Sequence, residues 1–179
     1  MSFDLITTGD CLEKGDLDAL ETYVFKNGKG FPASYKEFVK KYGYGVTCNL
    51  FIIYIPMNMY GDSFFVRSKE VIATYQDVLD DEEELWFDFG PNVAYSKLKD
   101  LMPFSVSENG DYLFWDISTY NNNEYDIYMT NFKGLPFAKV ASSLNELFDK
   151  ITSERDFRSV FPFSESPLPK QFKPLHKER

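Results

Sequence analysis

Apolar positions change their spacing along the chain, and each change marks an element. Between Asp16 and Lys26, Leu17, Leu20 and Val24 recur at helical spacing, with Glu21 and Lys26 off that face. Asp16 stands where a side chain caps free amides. Asn27-Gly28-Lys29-Gly30 then stops the pattern. Phe31-Pro32 opens a second helix, expected over 32–42, because proline at a helix start gives up no intrahelical bond. Tyr35, Phe38, Val39 and Tyr42 form its apolar stripe, and Lys36, Lys40 and Lys41 take the wet side. Gly43 and Gly45 end it and turn the chain.

The spacing then shortens. Leu50 to Ile55 is nearly all apolar and reads as an inner strand closed by Pro56. A turn over Asn58 to Asp62 leads to a second strand, Ser63 to Arg67. Helical spacing returns over 69–79, with Val71, Ile72, Tyr75, Val78 and Leu79 on the apolar side. Leu85 to Phe89 reads as a short strand, and Val93 to Lys99 as a short helical or irregular turn. The stretch from Leu101 to Ser118 organises the sheet: an apolar entry, a tight turn at Asn109-Gly110, and a strand over 112–117. Leu113, Trp115 and Ile117 are expected to face the core, and Tyr112, Phe114 and Asp116 to be partly exposed. A polar turn with three consecutive asparagines precedes a strand at 126–130, and Phe137 to Val140 is a brief edge strand. Ser143 and Glu146 make a capping box for a helix over 143–151, with Leu144, Leu147, Phe148 and Ile151 inward.

The chain has 179 residues and is 44% hydrophobic, enough for one sizeable core and too little for two. We therefore expect one domain over 1–152. A Pro-containing C-terminal extension over 153–179 follows, partly irregular, pinned by Phe157, Val160, Phe161 and Phe163 and loose from Ser166. Formal net charge is -9. An acidic surface repels phosphate backbones, which argues against direct nucleic-acid binding and suits a basic protein partner. Asp80, Asp81, Glu82, Glu83 and Glu84 form one uninterrupted run, attractive to a cationic surface.

Cys11 and Cys48 make no disulfide framework and fit a reducing compartment. The start, MSFDLITTGD, lacks the basic and apolar regions of a signal peptide. No apolar stretch is long enough to span a bilayer, so a cytoplasmic protein without membrane contact is expected. Candidate chemistry is thin. The lone histidine, His176, lies in the tail, and metal-ligand, nucleophile and phosphate-loop motifs are absent. Asp88, Asp111, Asp116 and Glu124 lie near turns or strand ends, where a carboxylate pair could run a hydrolysis if it faced across a groove. The expectation is a protein that is not an enzyme and needs no cofactor or metal.

Three segments carry a family resemblance. FPASYKEFVKKYG resembles the "LPxxYxxFLxxxNG" segment of the SMI1/KNR4 proteins, the SUKH superfamily, through Phe31, Pro32, Tyr35, Phe38, Val39 and Gly43. LMPFSVSENGDYLFWDIS resembles that family's "LIPFAxDGGGDxFxxD" segment through Leu101 to Phe104, Asn109, Gly110, Asp111, Phe114 and Asp116. SLNELFDKI, residues 143–151, resembles its closing helix. The resemblance implies an α+β fold, a single domain with a curved, mainly antiparallel sheet and helices packed against it. It also implies an immunity protein that neutralises a cognate bacterial toxin, such as a basic nuclease domain, by stoichiometric binding. The alternative is a regulatory or scaffold adaptor of the same family with no toxin partner.

On the immunity reading, the partner-binding residues are Asp80, Asp81, Glu82, Glu83, Glu84, Asp111, Tyr112, Asp116 and Glu124. Aromatic anchors come from the exposed members of Tyr112, Tyr120, Tyr125 and Tyr128, which alternation does not single out, because rim charges alone add little affinity.

Overall fold

A computed structural model describes residues 3–9, 13–80, 95–131 and 137–177, without the side chains of 77–80 and 95. The expected strand at 85–89 lies outside these residues. Helix α1, Leu17–Thr22, starts where expected, with the Asp16 carboxylate accepting from the Ala19 amide at 2.9 Å. It ends four residues earlier than its apolar spacing predicts. Tyr23 is extended and directs Phe25 into the core, so Leu20 is buried while Leu17 and Val24 stay exposed. Helix α2, Ala33–Lys41, buries Tyr35, Phe38 and Val39 as the stripe predicts. Gly43 follows at φ 80°, where a side chain would run into the Glu13 carbonyl.

The strands are β1 Ile6–Thr7, β2 Gly45–Thr47, β3 Phe51–Ile53, β4 Leu101–Ser107, β5 Tyr112–Asn121, β6 Glu124–Thr130, β7 Ala138–Ala141 and β8 Gln171–Pro174. They form one sheet in the order β1-β8-β2-β3-β4-β5-β6-β7. Only β1 and β8 pair in parallel; the other neighbours are antiparallel. The fold is the expected α+β arrangement, with helix α4, Leu144–Ile151, packed beside α2 and against β7. The capping box forms: Ser143 Oγ accepts from the Glu146 amide at 3.1 Å. The reciprocal bond from Glu146 lands on the Ser142 amide at 2.8 Å, one residue before the cap.

The main core gathers round Trp115. Its ring stacks on Phe104 at 4.1 Å and meets the edge of Tyr35 at 4.8 Å, with Phe31, Phe25 and Phe64 at about 6 Å. Leu113 and Ile117 join the same core, as alternation requires. A second, smaller cluster lies on the other face of the sheet: Val71, Tyr75, Leu98, Leu101, Phe114 and Phe137. It covers the face that alternation alone leaves partly wet, so Phe114 and Asp116 are fully buried and only Tyr112 is half-exposed.

The covering element is helix α3, Phe64–Asp80. This corrects the strand expected at 63–67. A three-residue apolar run, Phe64-Phe65-Val66, fits either period. Here the Ser63 carbonyl accepts from the Val66 and Arg67 amides, and its hydroxyl accepts from Phe65, which starts a helix continuous with the one expected at 69–79.

The looseness expected from Ser166 is also corrected. Residues 153–170 are largely irregular, but Gln171–Pro174 joins the sheet and Phe172 is fully buried. Burying one aromatic ring contributes about 2 kcal/mol, enough to hold a segment whose hydropathy alone predicts looseness.

Trp115→Ala should lower stability by about 3–5 kcal/mol, because five neighbouring rings cannot all collapse into the space. Chemical denaturation followed by far-UV circular dichroism measures it. A loss under 1 kcal/mol would remove Trp115 from the centre of the core.

Candidate functional site

Asp80 closes α3, and its side chain and residues 81–84 lie outside the description, as does Asp88. The remaining candidate residues are placed. Asp111 ends the four-residue loop between β4 and β5, whose third residue, Gly110, adopts φ 85°. Its carboxylate accepts from the Ser107 hydroxyl at 2.9 Å, and its amide donates back to that hydroxyl at 2.9 Å. The side chain is buried and closes the loop.

Asp116 lies five residues further along β5, roughly 17 Å away. It is fully buried. Oδ1 accepts from the Ser118 amide and hydroxyl at 3.1 and 2.6 Å. Oδ2 makes no well-directed hydrogen bond, but it sits 2.5 Å from Lys97 Nζ, and this charge contact is what compensates it. The Asp116 carboxylate in turn holds Lys97 above the ordinary lysine pKa. Lys97 belongs to a 3₁₀ turn, Tyr95–Asp100, and also lies 5.8 Å over the Tyr128 ring. Asp126, directly across the β5–β6 ladder from Asp116, pairs with Lys139 at 2.8 Å.

Glu124 begins β6, just after a hairpin turn whose central Asn122 and Asn123 have φ 50° and 62°. Its two oxygens accept from the Ser34 amide and hydroxyl, both at 2.7 Å. The Ser34 hydroxyl accepts from the Leu144 amide at 3.0 Å. Pro32 gives α2 no side-chain cap, so Glu124 supplies one from another element, and Ser34 links it to the start of α4. Burial raises the Glu124 pKa, against the lowering effect of the two Ser34 bonds.

Asp111, Asp116 and Glu124 are therefore not brought together; each is committed to holding a turn, a strand or a helix end. Of the four candidate tyrosines, Tyr125 is buried, its hydroxyl donating to the Gly30 carbonyl at 3.2 Å. Tyr120 is exposed beside the hairpin, with Lys29 Nζ 5.4 Å over its ring. Tyr112 and Tyr128 share the α3 face, half-buried against the second cluster beside Ile72.

Sequence reasoning missed Lys97, Asp126 and Lys139. The available signal was alternation, since Asp126 and Tyr128 fall on one face of β6. It also missed an open, polar-lined hollow beside the β5–β6 hairpin, formed by Thr119, Asn121, Glu124, Asp126, Lys139 and Ser142. Burial pushes the Cys48 thiol up to about 12, which leaves it inert near neutrality. Among the described residues no three His, Cys, Asp or Glu side chains are placed to hold a metal ion, and no helix is long and apolar enough to cross a membrane.

A family model described as SUKH_6, SMI1-KNR4 cell-wall, matches residues 18–148. No curated protein and no solved structure matches the chain.

Glu124→Ala should cost about 1–2 kcal/mol, as loss of a helix cap does, and Glu124→Gln less, because one amide oxygen still accepts from Ser34. The raised pKa fixes the pH dependence. The folded chain keeps its proton longer than the unfolded one, so this group's contribution is full below pH 4.5 and is lost as pH rises through its folded pKa. The stability gap between wild type and Glu124→Gln should then narrow from pH 4 to 7. Denaturant titrations at both pH values check the sign, and a widening gap would refute it.

Proposed function

This chain belongs to the SMI1-KNR4 cell-wall family, and from that premise we propose that it is an immunity-type protein acting by binding rather than turnover. Its partner is a toxin with a basic face, of the kind a nuclease needs to grip phosphates. One observation carries the reading. Asp80 closes α3, the helix that covers one sheet face, and in the sequence it opens a run of five consecutive acids. Tyr112 and Tyr128 lie half-buried on that same face.

Acids and tyrosines do different work in such a contact. A net charge of -9 with an acidic run steers a cationic protein in and raises the association rate. Tyrosine rings exclude water at the centre and slow dissociation. Asp111, Asp116 and Glu124 serve this surface indirectly, by fixing the hairpins and helix ends that present it.

The test uses the product of the neighbouring toxin gene, with association and dissociation followed by surface plasmon resonance. Converting Asp80, Asp81, Glu82, Glu83 and Glu84 to Asn or Gln should slow association about tenfold at low salt and flatten its salt dependence. Tyr128→Ala should speed dissociation about tenfold. Unchanged rates and salt dependence in the first variant would remove the acidic run from the mechanism. No binding by the wild type would remove the immunity reading for that pair.

A further inference from the structure

The C-terminal strand β8 is an internal strand in the sheet but is held like a ligand. It lies between β1 and β2, and it comes from beyond the family-matched residues. Its ladder to β2 is short: Gly45, Val46 and Thr47 face Pro174, Lys173 and Phe172. The Cys48 amide donates to the Gln171 carbonyl at 2.7 Å, and the Leu175 amide donates to the Tyr44 carbonyl at 3.0 Å. Only Phe172 within the strand is fully buried, with its ring 5.2 Å from Tyr42 and 5.9 Å from Phe38.

Two details mark the seat as a groove shaped for one aromatic ring. A side chain at Gly45 would come within 2.5 Å of the Phe172 ring and 2.4 Å of the Lys173 carbonyl, so the absence of one makes the room. Thr47, directly opposite Phe172, is fully buried and its hydroxyl has no hydrogen-bond partner. The strand thus closes over a polar group that it leaves unsatisfied, which weakens the seat.

The approach to β8 touches the main core through the part-buried Phe161, stacked on Phe51 at 6.2 Å, and Leu168, and is otherwise open. Pro162, Phe163, Glu165, Ser166, Pro169 and Lys170 are exposed, with Phe163 at 89%. One backbone bond, from the Leu168 amide to the Ile151 carbonyl at 2.8 Å, ties this segment to α4. On its other side β8 carries only the two-residue strand β1.

We propose that the edge of β2 is a strand-accepting groove, that β8 is its resident occupant, and that an extended segment of another polypeptide with an aromatic residue at the Phe172 position can replace it. Recognition is by main-chain ladder plus one ring in the Tyr42–Phe38–Gly45 seat, the β-augmentation mode. β8 leaves by sub-global opening, with the rest of the sheet intact. The proposal is independent of the toxin partner.

The experiment uses the full chain and a fluorescent peptide of residues 167–177. The peptide should bind wild type weakly and slowly, at a rate limited by opening. A Phe172→Ala chain, whose own strand is a poor occupant, should bind it at least tenfold more tightly. The peptide carrying Phe172→Ala should not bind either chain, and Gly45→Ala in the chain should abolish binding. In wild type, the Cys48 and Leu175 amides should exchange hydrogen at least 100-fold faster than amides of β5 and β6. Peptide binding that survives Gly45→Ala, or no binding to a folded Phe172→Ala chain, would overturn the proposal. Should that variant not fold, exchange decides: Cys48 and Leu175 amides as protected as β5 would overturn it.

Discussion

Five aromatic rings from separate stretches of chain close on Trp115, and the architecture depends on that convergence. Phe25 follows α1, Phe31 precedes α2, Tyr35 lies on α2, Phe64 starts α3 and Phe104 lies on β4. Each ring brings its element to one point on β5. Tyr35 also donates its hydroxyl to the Tyr54 carbonyl at 2.7 Å, so the packed ring fixes the end of β3 as well. Edge-to-face geometry restricts how these rings meet, and a core built from them holds its elements at defined angles.

The buried acids follow from the same packing. Where a packed element covers the sheet, a carboxylate is removed from water and needs donors or a cation. Asp111 takes the Ser107 hydroxyl, Asp116 takes Ser118 and Lys97, and Glu124 takes the exposed end of α2. The residues that carry the family pattern are therefore mostly those that build the fold.

The first and last strands meet at one edge of the sheet, where β1 lies parallel to β8. That edge is built differently from the centre. Tyr42 anchors it from α2, its hydroxyl accepting from the Leu5 amide at 3.0 Å while its ring packs against Phe172. The opposite edge, β7, is tied down by Lys150, whose ammonium donates to the Val140 carbonyl at 2.9 Å. A lysine on an edge carbonyl discourages strand addition there.

Local chemistry alone determined the elements whose signals are self-contained. The α2 stripe, the Asp16 and Ser143 caps, the Asn109-Gly110 turn and the core face of β5 depend on neighbours a few residues apart, so they are legible in the sequence. The tertiary structure decided whatever depended on distant partners. Ser63 to Arg67 fits strand or helix until Ser63 caps it and Val71 and Tyr75 extend its apolar side. Phe114 and Asp116 alternate onto a face that is dry only because α3 lies over it. Glu124 becomes a helix cap only because the hairpin brings it to Ser34, 90 positions away. Phe172 becomes core only because β2 leaves an edge and Gly45 a space. Alternation states which residues share a face; the packing of remote elements decides whether that face meets water.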